Sequence, residues 1–245
     1  MNEFAWIAVA VFLFAGTIKG VVGIGLPVTA IGILSQIADP RLAVVLAIFP
    51  IFAANIWQVF RAGNVLGALR RYWVFALLLS TVLLPTSLLA PKVPIDALVI
   101  ILGVMIVLFA LQGLFIKPPP LPDRFDRMAQ VAGGILSGIA GGLTAIWAPP
   151  MVMYLLSRRI DKEEFVRATG VLFLCGGVPL LVGYLNNGLI DFDSGKLSAL
   201  LIIPTLAGFT LGEFVRRRLD GERFRTVVLV IFLLMGLNLL RRGIF

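Results

Sequence analysis

Eight apolar stretches recur along this chain: Phe4 to Ile37, Leu42 to Phe60, Tyr72 to Ala90, Ala97 to Ile116, Met128 to Ser157, Phe165 to Ile190, Leu197 to Phe214 and Val227 to Leu240. A hydrocarbon core of ~30 Å takes ~20 helical residues to cross, and stretches of this kind repeat from one end of the sequence to the other. None alternates apolar and polar residues in segments of about 10, as the strands of a membrane barrel do, so the spans are helical. Charged residues make up 14% of the 245 positions against 60% apolar, whereas soluble domains carry about a quarter charged. The sequence therefore predicts an all-α integral membrane protein.

Two stretches are longer than the rest, at 34 residues for Phe4 to Ile37 and 30 for Met128 to Ser157, and both are glycine-rich. Gly16, Gly20 and Gly23 match Gly134, Gly138 and Gly141 at a constant offset of 118. The match predicts an internal duplication: a first repeat over 1–116, a Pro-rich cytoplasmic linker over 117–127 and a second repeat over 128–245.

Loop charges give these lengths a meaning. Eight simple crossings would spread Lys and Arg almost evenly over both faces, against the positive-inside rule. If each long stretch instead enters and returns on one face, the clusters around Arg61, Arg70 and Arg71, around Lys117, Arg124 and Arg127, around Arg158, Arg159, Lys162 and Arg167, and around Arg216, Arg217, Arg218, Arg223 and Arg225 share a face. Arg41, Lys92, Lys196, Arg241 and Arg242 then fall on the other. Each half becomes a re-entrant hairpin of two half-membrane helices plus three transmembrane helices, and the odd count turns the halves into inverted-topology repeats. The competing reading keeps each long stretch as one tilted helix, with its Gly-x-x-x-Gly serving close packing.

Met1-Asn2-Glu3 carries no basic residue ahead of the first apolar run, so no signal peptide is expected there. With a single cysteine, Cys175, and no histidine, neither an internal disulfide nor a metal or cofactor site is expected. The formal charge of +8 is dispersed in juxtamembrane clusters, which suit topology signals or an anion-attracting vestibule better than nucleic acid. The expected partners are a small anion and membrane lipid. A homo-oligomer is compatible with the sequence but not required by it.

The paired Gly-x-x-x-Gly-x-x-Gly patterns, each followed by Gly and Pro between Gly16 and Pro27 and between Gly134 and Pro150, resemble the TauE/SafE family of sulfite and organosulfonate exporters. Arg61-Ala62-Gly63-Asn64-Val65, partnered by Asn187-Gly188-Leu189-Ile190-Asp191, is similar to that family's short Gly-Asn turn. Where members often carry a triple glycine, this chain has Gly23-Ile24-Gly25 and Gly141-Gly142-Leu143. The resemblance implies a secondary transporter of the inner, cytoplasmic membrane that exports sulfite, thiosulfate or an organosulfonate.

The residues themselves suggest where an anion would sit. Lys19 is the one formal charge inside the first long stretch, near the hairpin tip and so around the bilayer centre. A buried ammonium there costs ~2.5 kcal/mol or more unless it is paired or hydrated, although a lysine on a straight helix can snorkel instead. Gly20, Gly23, Gly25, Gly141 and Gly142 leave room for backbone to approach a ligand, and helix starts near Gly25 and Gly142 would aim N–H groups at it. Thr29 and Thr144 offer hydroxyls, which equally back-bond to their own helices. Asn55 and Gln58 share one face of the second span and serve either the path or interhelical packing. Trp147 and Tyr184 either line a pathway or mark an interface. The expected site lies between the two hairpin tips at the midplane.

An intramembrane enzyme would need acids, bases or metal ligands at depth, but the carboxylates sit in loops apart from Glu213, which lies beside Arg216 and Arg217 where an ion pair explains it. An anion channel with re-entrant loops stays open at this level. The topology makes a direct prediction: cysteines introduced at Arg70, Arg158 and Arg217 should all react with an impermeant thiol reagent from the cytoplasmic side. Labelling of positions 70 and 158 from opposite sides would overturn it.

Overall fold

The computed structural model describes residues 3–115, 118–216 and 221–244, so Lys117 and Arg217 lie outside the described residues. It is all-helical, 86% helix. In chain order the helices are α1 (Glu3–Val22), α2 (Leu26–Leu34), α3 (Pro40–Ala62), α4 (Val65–Arg71), α5 (Trp73–Leu89), α6 (Ile95–Phe115), α7 (Asp126–Thr144), α8 (Ala148–Ser157), α9 (Lys162–Asn186), α10 (Phe192–Leu200), α11 (Ile202–Arg216) and α12 (Gly221–Ile244). Among the described residues seven helices are long and apolar enough to cross a membrane, with α10 and α11 counted as one span, Phe192–Val215.

Both long stretches are broken, but unequally. The first divides into 20 and 9 residues, the second into 19 and 10. The expected pair of half-membrane arms is thus replaced by a full-length helix followed by a short one. The reason lies in the glycines. A Cβ on Gly16 would strike the Thr205 carbonyl oxygen, and one on Gly20 would strike that of Phe209, so these glycines let α1 lie directly against the backbone of α11. Gly134, Gly138 and Gly142 play the same part for α7 against Phe75, Val82 and Thr86 of α5. Helix continues through these glycines and stops only where the backbone turns left-handed, at Gly23 (φ 87°) and Gly25 (φ 105°) in one half and at Ala145 (φ 57°) in the other.

The contacts also fix direction. Along α1, Leu13 meets Gly208 and Thr17 meets Gly212; along α7, Gly134 meets Phe75 and Gly142 meets Thr86. Both pairs therefore run parallel. Helix α6 packs along α12, and α3 crosses α9.

Sequence signals at helix starts are used as expected. Asp39 accepts from the Arg41 N–H at 2.7 Å, Asp161 from that of Glu164 at 2.8 Å and Asp191 from that of Ser194 at 2.7 Å. Gly63 and Gly188 both turn with positive φ ahead of α4 and α10.

At one end of the bundle the basic loops join up. Arg71 pairs with Glu164 at 2.6 Å, Arg158 with Asp123 at 2.8 Å and Asp126 at 3.3 Å, and Arg61 with Glu213. Tyr72 donates to Glu164 at 2.7 Å, and burial first, then that bond, raises its phenol above the ordinary range. At the opposite end Arg41 caps the Val93 carbonyl at 2.6 Å, and Arg242 donates to the Ser35 and Gln36 carbonyls at 2.9 and 3.0 Å. Arg71 and Arg158 thus share an end, and Arg41 and Arg242 share the other.

Pro50 stands inside α3 and Pro179 inside α9, and each strips a carbonyl four residues back of its N–H partner. Pro50 in α3 frees the carbonyl of Leu46, which accepts from the Ser198 hydroxyl of α10 at 2.9 Å. Pro179 in α9 frees that of Cys175, which accepts from the Ser80 hydroxyl of α5 at 2.9 Å. In lipid an unfilled carbonyl has no water to turn to. Ser198→Ala should therefore lower the unfolding midpoint of the purified protein by the equivalent of about 0.5–2 kcal/mol. Adding Pro50→Ala should recover most of the loss in scanning fluorimetry, because the restored backbone N–H then takes the Leu46 carbonyl.

Candidate functional site: a basic vestibule with a buried lysine

Lys19 stands one residue before Gly20. Because Gly16 and Gly20 face α11, the lysine side chain turns toward α3 and α9. It is 2% exposed. Its ammonium donates to Asn55 Oδ1 at 2.5 Å and lies 5.1 Å from the ring centroid of Phe173. Among the described residues no carboxylate is ion-paired with it. An amide oxygen and a ring face soften the desolvation of an ammonium but leave its charge uncancelled.

Above it opens a cavity of about 570 Å³ lined by Lys19, Gly20, Gly23, Gln58, Arg61 and Ala62 from the first half and Glu163, Val166, Arg167, Phe209 and Glu213 from the second. Arg61 and Glu163 are exposed, so the mouth is at the end of the bundle that carries the basic loops. Three cations face two carboxylates there. At the rim Arg61 pairs with Glu213, while Arg167, whose Nε donates to the Ala62 carbonyl at 3.4 Å, keeps its charge and shares the mouth with Glu163. Lys19, at the floor, is the buried charge. Gln58 lies one turn from Asn55 and donates to the Val166 carbonyl at 2.8 Å and to Thr169 Oγ1 at 3.2 Å, while its own Oε1 has no partner.

The expected site residues therefore divide. Lys19, Gly20, Gly23 and Gln58 line one cavity, with Asn55 holding the lysine. Gly25 is the N-cap of α2, packed against Ile18 and Phe232. The Thr29 hydroxyl donates to the Gly25 carbonyl at 2.8 Å, and Thr144 donates to the Ala140 carbonyl at 2.7 Å while accepting from the Ile146 N–H at 3.1 Å, so both are spent within their own helix ends. Gly142 and Thr144 end α7 rather than start the return arm, which begins at Ala148 where Pro149 favours a first turn. Gly142 is needed for the approach to α5, and Gly141 carries Trp147.

The two breaks also stand at different depths, since Gly23 contacts Val166 and Trp147 contacts Gly176, ten residues and about 15 Å further along α9. Lys19 itself lies toward the basic end, because Gly20 backs onto Phe209 and Glu213 while α11 ends at Arg216. Glu213 pairs with Arg61 of the other half. Arg61 follows Asn55 and Gln58 on the i, i+3, i+6 face of α3, a spacing that would have placed it in the path beforehand. Phe173 carried no comparable signal.

Among the described residues, seven helices long and apolar enough to cross a membrane, with an open vestibule between them, define a multi-pass membrane protein. The chain belongs to the sulfite exporter TauE/SafE family, whose model matches residues 8–239. That family consists of transporters rather than enzymes. No curated protein and no solved structure matches the chain.

The site geometry makes Asn55 a sensitive position. Asn55→Asp would give Lys19 an internal counter-ion in place of a neutral acceptor, so the variant should fold normally yet show a half-saturation for sulfite raised about tenfold or more. An unchanged half-saturation in proteoliposome flux would mean that the lysine charge is not offered to the anion.

Proposed function

We propose that the protein is a secondary transporter that exports a small sulfur-containing anion, sulfite, thiosulfate or an organosulfonate, from the cytoplasm across the inner membrane. Family membership supports the anion class. The observation that carries the reading is Lys19, a buried ammonium without a carboxylate at the floor of an open vestibule. Such a charge is expensive within a membrane span, and an anion arriving through the vestibule supplies the missing partner. Gln58 and the backbone around Gly20 and Gly23 complete the pocket, and no metal is required for an oxyanion to bind there.

The wider architecture in this reading is an inverted-topology repeat over 1–116 and 128–245, joined by the 117–127 linker. Helix pairing supports it. Exchanging the halves turns the α1–α11 pair into the α7–α5 pair and leaves α6–α12 and α3–α9 paired with each other. The freed carbonyls obey the same exchange, with Ser198 serving the Pro50 helix and Ser80 the Pro179 helix. Two contacts support hairpins on opposite faces: Ser35 at the end of α2 accepts from Arg242, and Arg158 at the end of α8 pairs with Asp123. By the positive-inside rule the end bearing Arg61, Arg71 and Arg158 is cytoplasmic, so the vestibule opens inward.

The test is flux from proteoliposomes loaded in turn with sulfite, thiosulfate, sulfate and an organosulfonate such as taurine, with and without a pH gradient. The expected result is saturable movement of at least one sulfur anion, with the half-saturation raised about tenfold or more by Lys19→Ala while the yield of folded protein is unchanged. Lys19→Arg should be intermediate, because the bulkier guanidinium keeps the charge but not the fit between glycine-lined backbones. Wild-type rate and half-saturation in Lys19→Ala would place the binding site elsewhere.

A further inference from the structure

The two breaks match in spacing and differ in bulk. Gly25 is the N-cap of α2 with Pro27 in the first turn, and Asp39 caps the next helix 14 positions on. Trp147 is the N-cap of α8 with Pro149 in the first turn, and Asp161 caps the next helix 14 positions on. Trp147 therefore stands where the other half has a glycine. In the first half Gly23 and Gln58 line the vestibule, whereas between the positions 118 further on, Gly141 and Gly176, the space is filled by the Trp147 indole.

Trp147 is completely buried. Its Cβ and Cε3 lie 3.0 Å from where a Cβ on Gly141 would stand, its Cε2 lies 2.9 Å from the same point on Gly176, and its ring centroid is 5.5 Å from that of Phe173. Phe173 in turn lies under the Lys19 ammonium. From the vestibule floor outward the order is thus Lys19, Phe173, Trp147. Buried Trp normally finds an acceptor for its indole N–H, but Trp147 Nε1 has none. The position matching Lys19 at the offset of 118 is Ser137, also fully buried and also with an unpartnered hydroxyl. A tryptophan chosen only to fill a core would leave no orphan donor; Trp147 packs on Gly141, one turn beyond Ser137 along α7, and two unpartnered donors on this part of the bundle suit the passage of an acceptor-rich ligand.

We infer that Trp147 is the gate on the outward side of the pathway: its indole fills the space between Gly141 and Gly176, whose counterparts Gly23 and Gln58 line the open vestibule, and it withdraws from between them to let an oxyanion leave. The inference rests on the transport reading above and adds the residue that closes the far half of the route. In the closed arrangement seen here the ring shuts the route beyond Phe173. When the ring moves, Nε1 and the Ser137 hydroxyl become donors to the departing anion, the outward counterparts of the Lys19 ammonium.

The test uses the full chain with Cys175→Ala and Ser137→Cys, reconstituted and treated from each side with an impermeant maleimide. With Trp147 present, labelling from the side opposite the basic loops should be slow. Trp147→Ala should speed it about tenfold or more, as expected when the open population rises by that factor, and Trp147→Phe should fall between. In the Cys175→Ala background, Trp147→Ala should also leak sulfite with little saturation. Unchanged labelling from that side in both Trp147 variants, with elution profiles like the parent, would show that the indole is packing and overturn the gate. If wild-type protein moves no sulfur anion but Trp147→Ala still speeds labelling, the gate stands and the substrate assignment fails.

Discussion

Everything in this bundle depends on backbone lying against backbone. Lipid chains are as apolar as leucine, so helices in a membrane gain little from hiding apolar surface and associate through close packing and polar contacts instead. Here Gly16, Gly20, Gly208 and Gly212 remove the side chains that would hold α1 and α11 apart, and Gly134, Gly138 and Gly142 do so for α7 and α5. The same contact determines which way neighbouring residues point. With the glycine face of α1 committed to α11, Lys19 is rotated away from that partner and into the space between α3 and α9. A packing requirement has thereby become an electrostatic one, because Lys19 there meets an amide and a phenyl ring and, among the described residues, is ion-paired with no carboxylate.

The vestibule spans the two halves. At its rim Arg61 pairs with Glu213, and an exposed pair of this kind contributes little energy, about 0–1 kcal/mol. Arg167 and Glu163 share that rim, and the buried charge lies deeper, at Lys19. On the transport reading proposed above, an anion sheds water to reach that ammonium, which favours small species.

Much of this was legible from residue order alone, and the failures have a common cause. Periodicity and length gave the helices; the repeated glycines located both broken segments; the isolated charge of Lys19 and the three-residue spacing of Asn55 and Gln58 marked one side of the vestibule. What could not be read was any property fixed by a partner far along the chain. Gly20 was expected to free the backbone at the tip, but its contact with α11 makes it a packing position, while the break falls at Gly23 and Gly25, beside the expected start of the second arm. Glu213 has arginines next to it in sequence and pairs instead with Arg61, 152 positions away. Phe173, an apolar residue in an apolar helix, carries no local mark of its place beneath the lysine.

The exchanged hydroxyls bear on how such a chain is made. Helix α3 leaves the ribosome long before α10, yet the Leu46 carbonyl it exposes at Pro50 is satisfied only by Ser198. Helix α5, conversely, carries the Ser80 hydroxyl that Cys175 of α9 will need. During synthesis the first half therefore sits in the bilayer with an open polar group, a provisional arrangement kept tolerable by trapped water or a frayed turn, and becomes final only when the second half inserts. Each half of the chain supplies a hydroxyl that the other requires, so the bundle reaches its final packing only with the arrival of the last third of the chain.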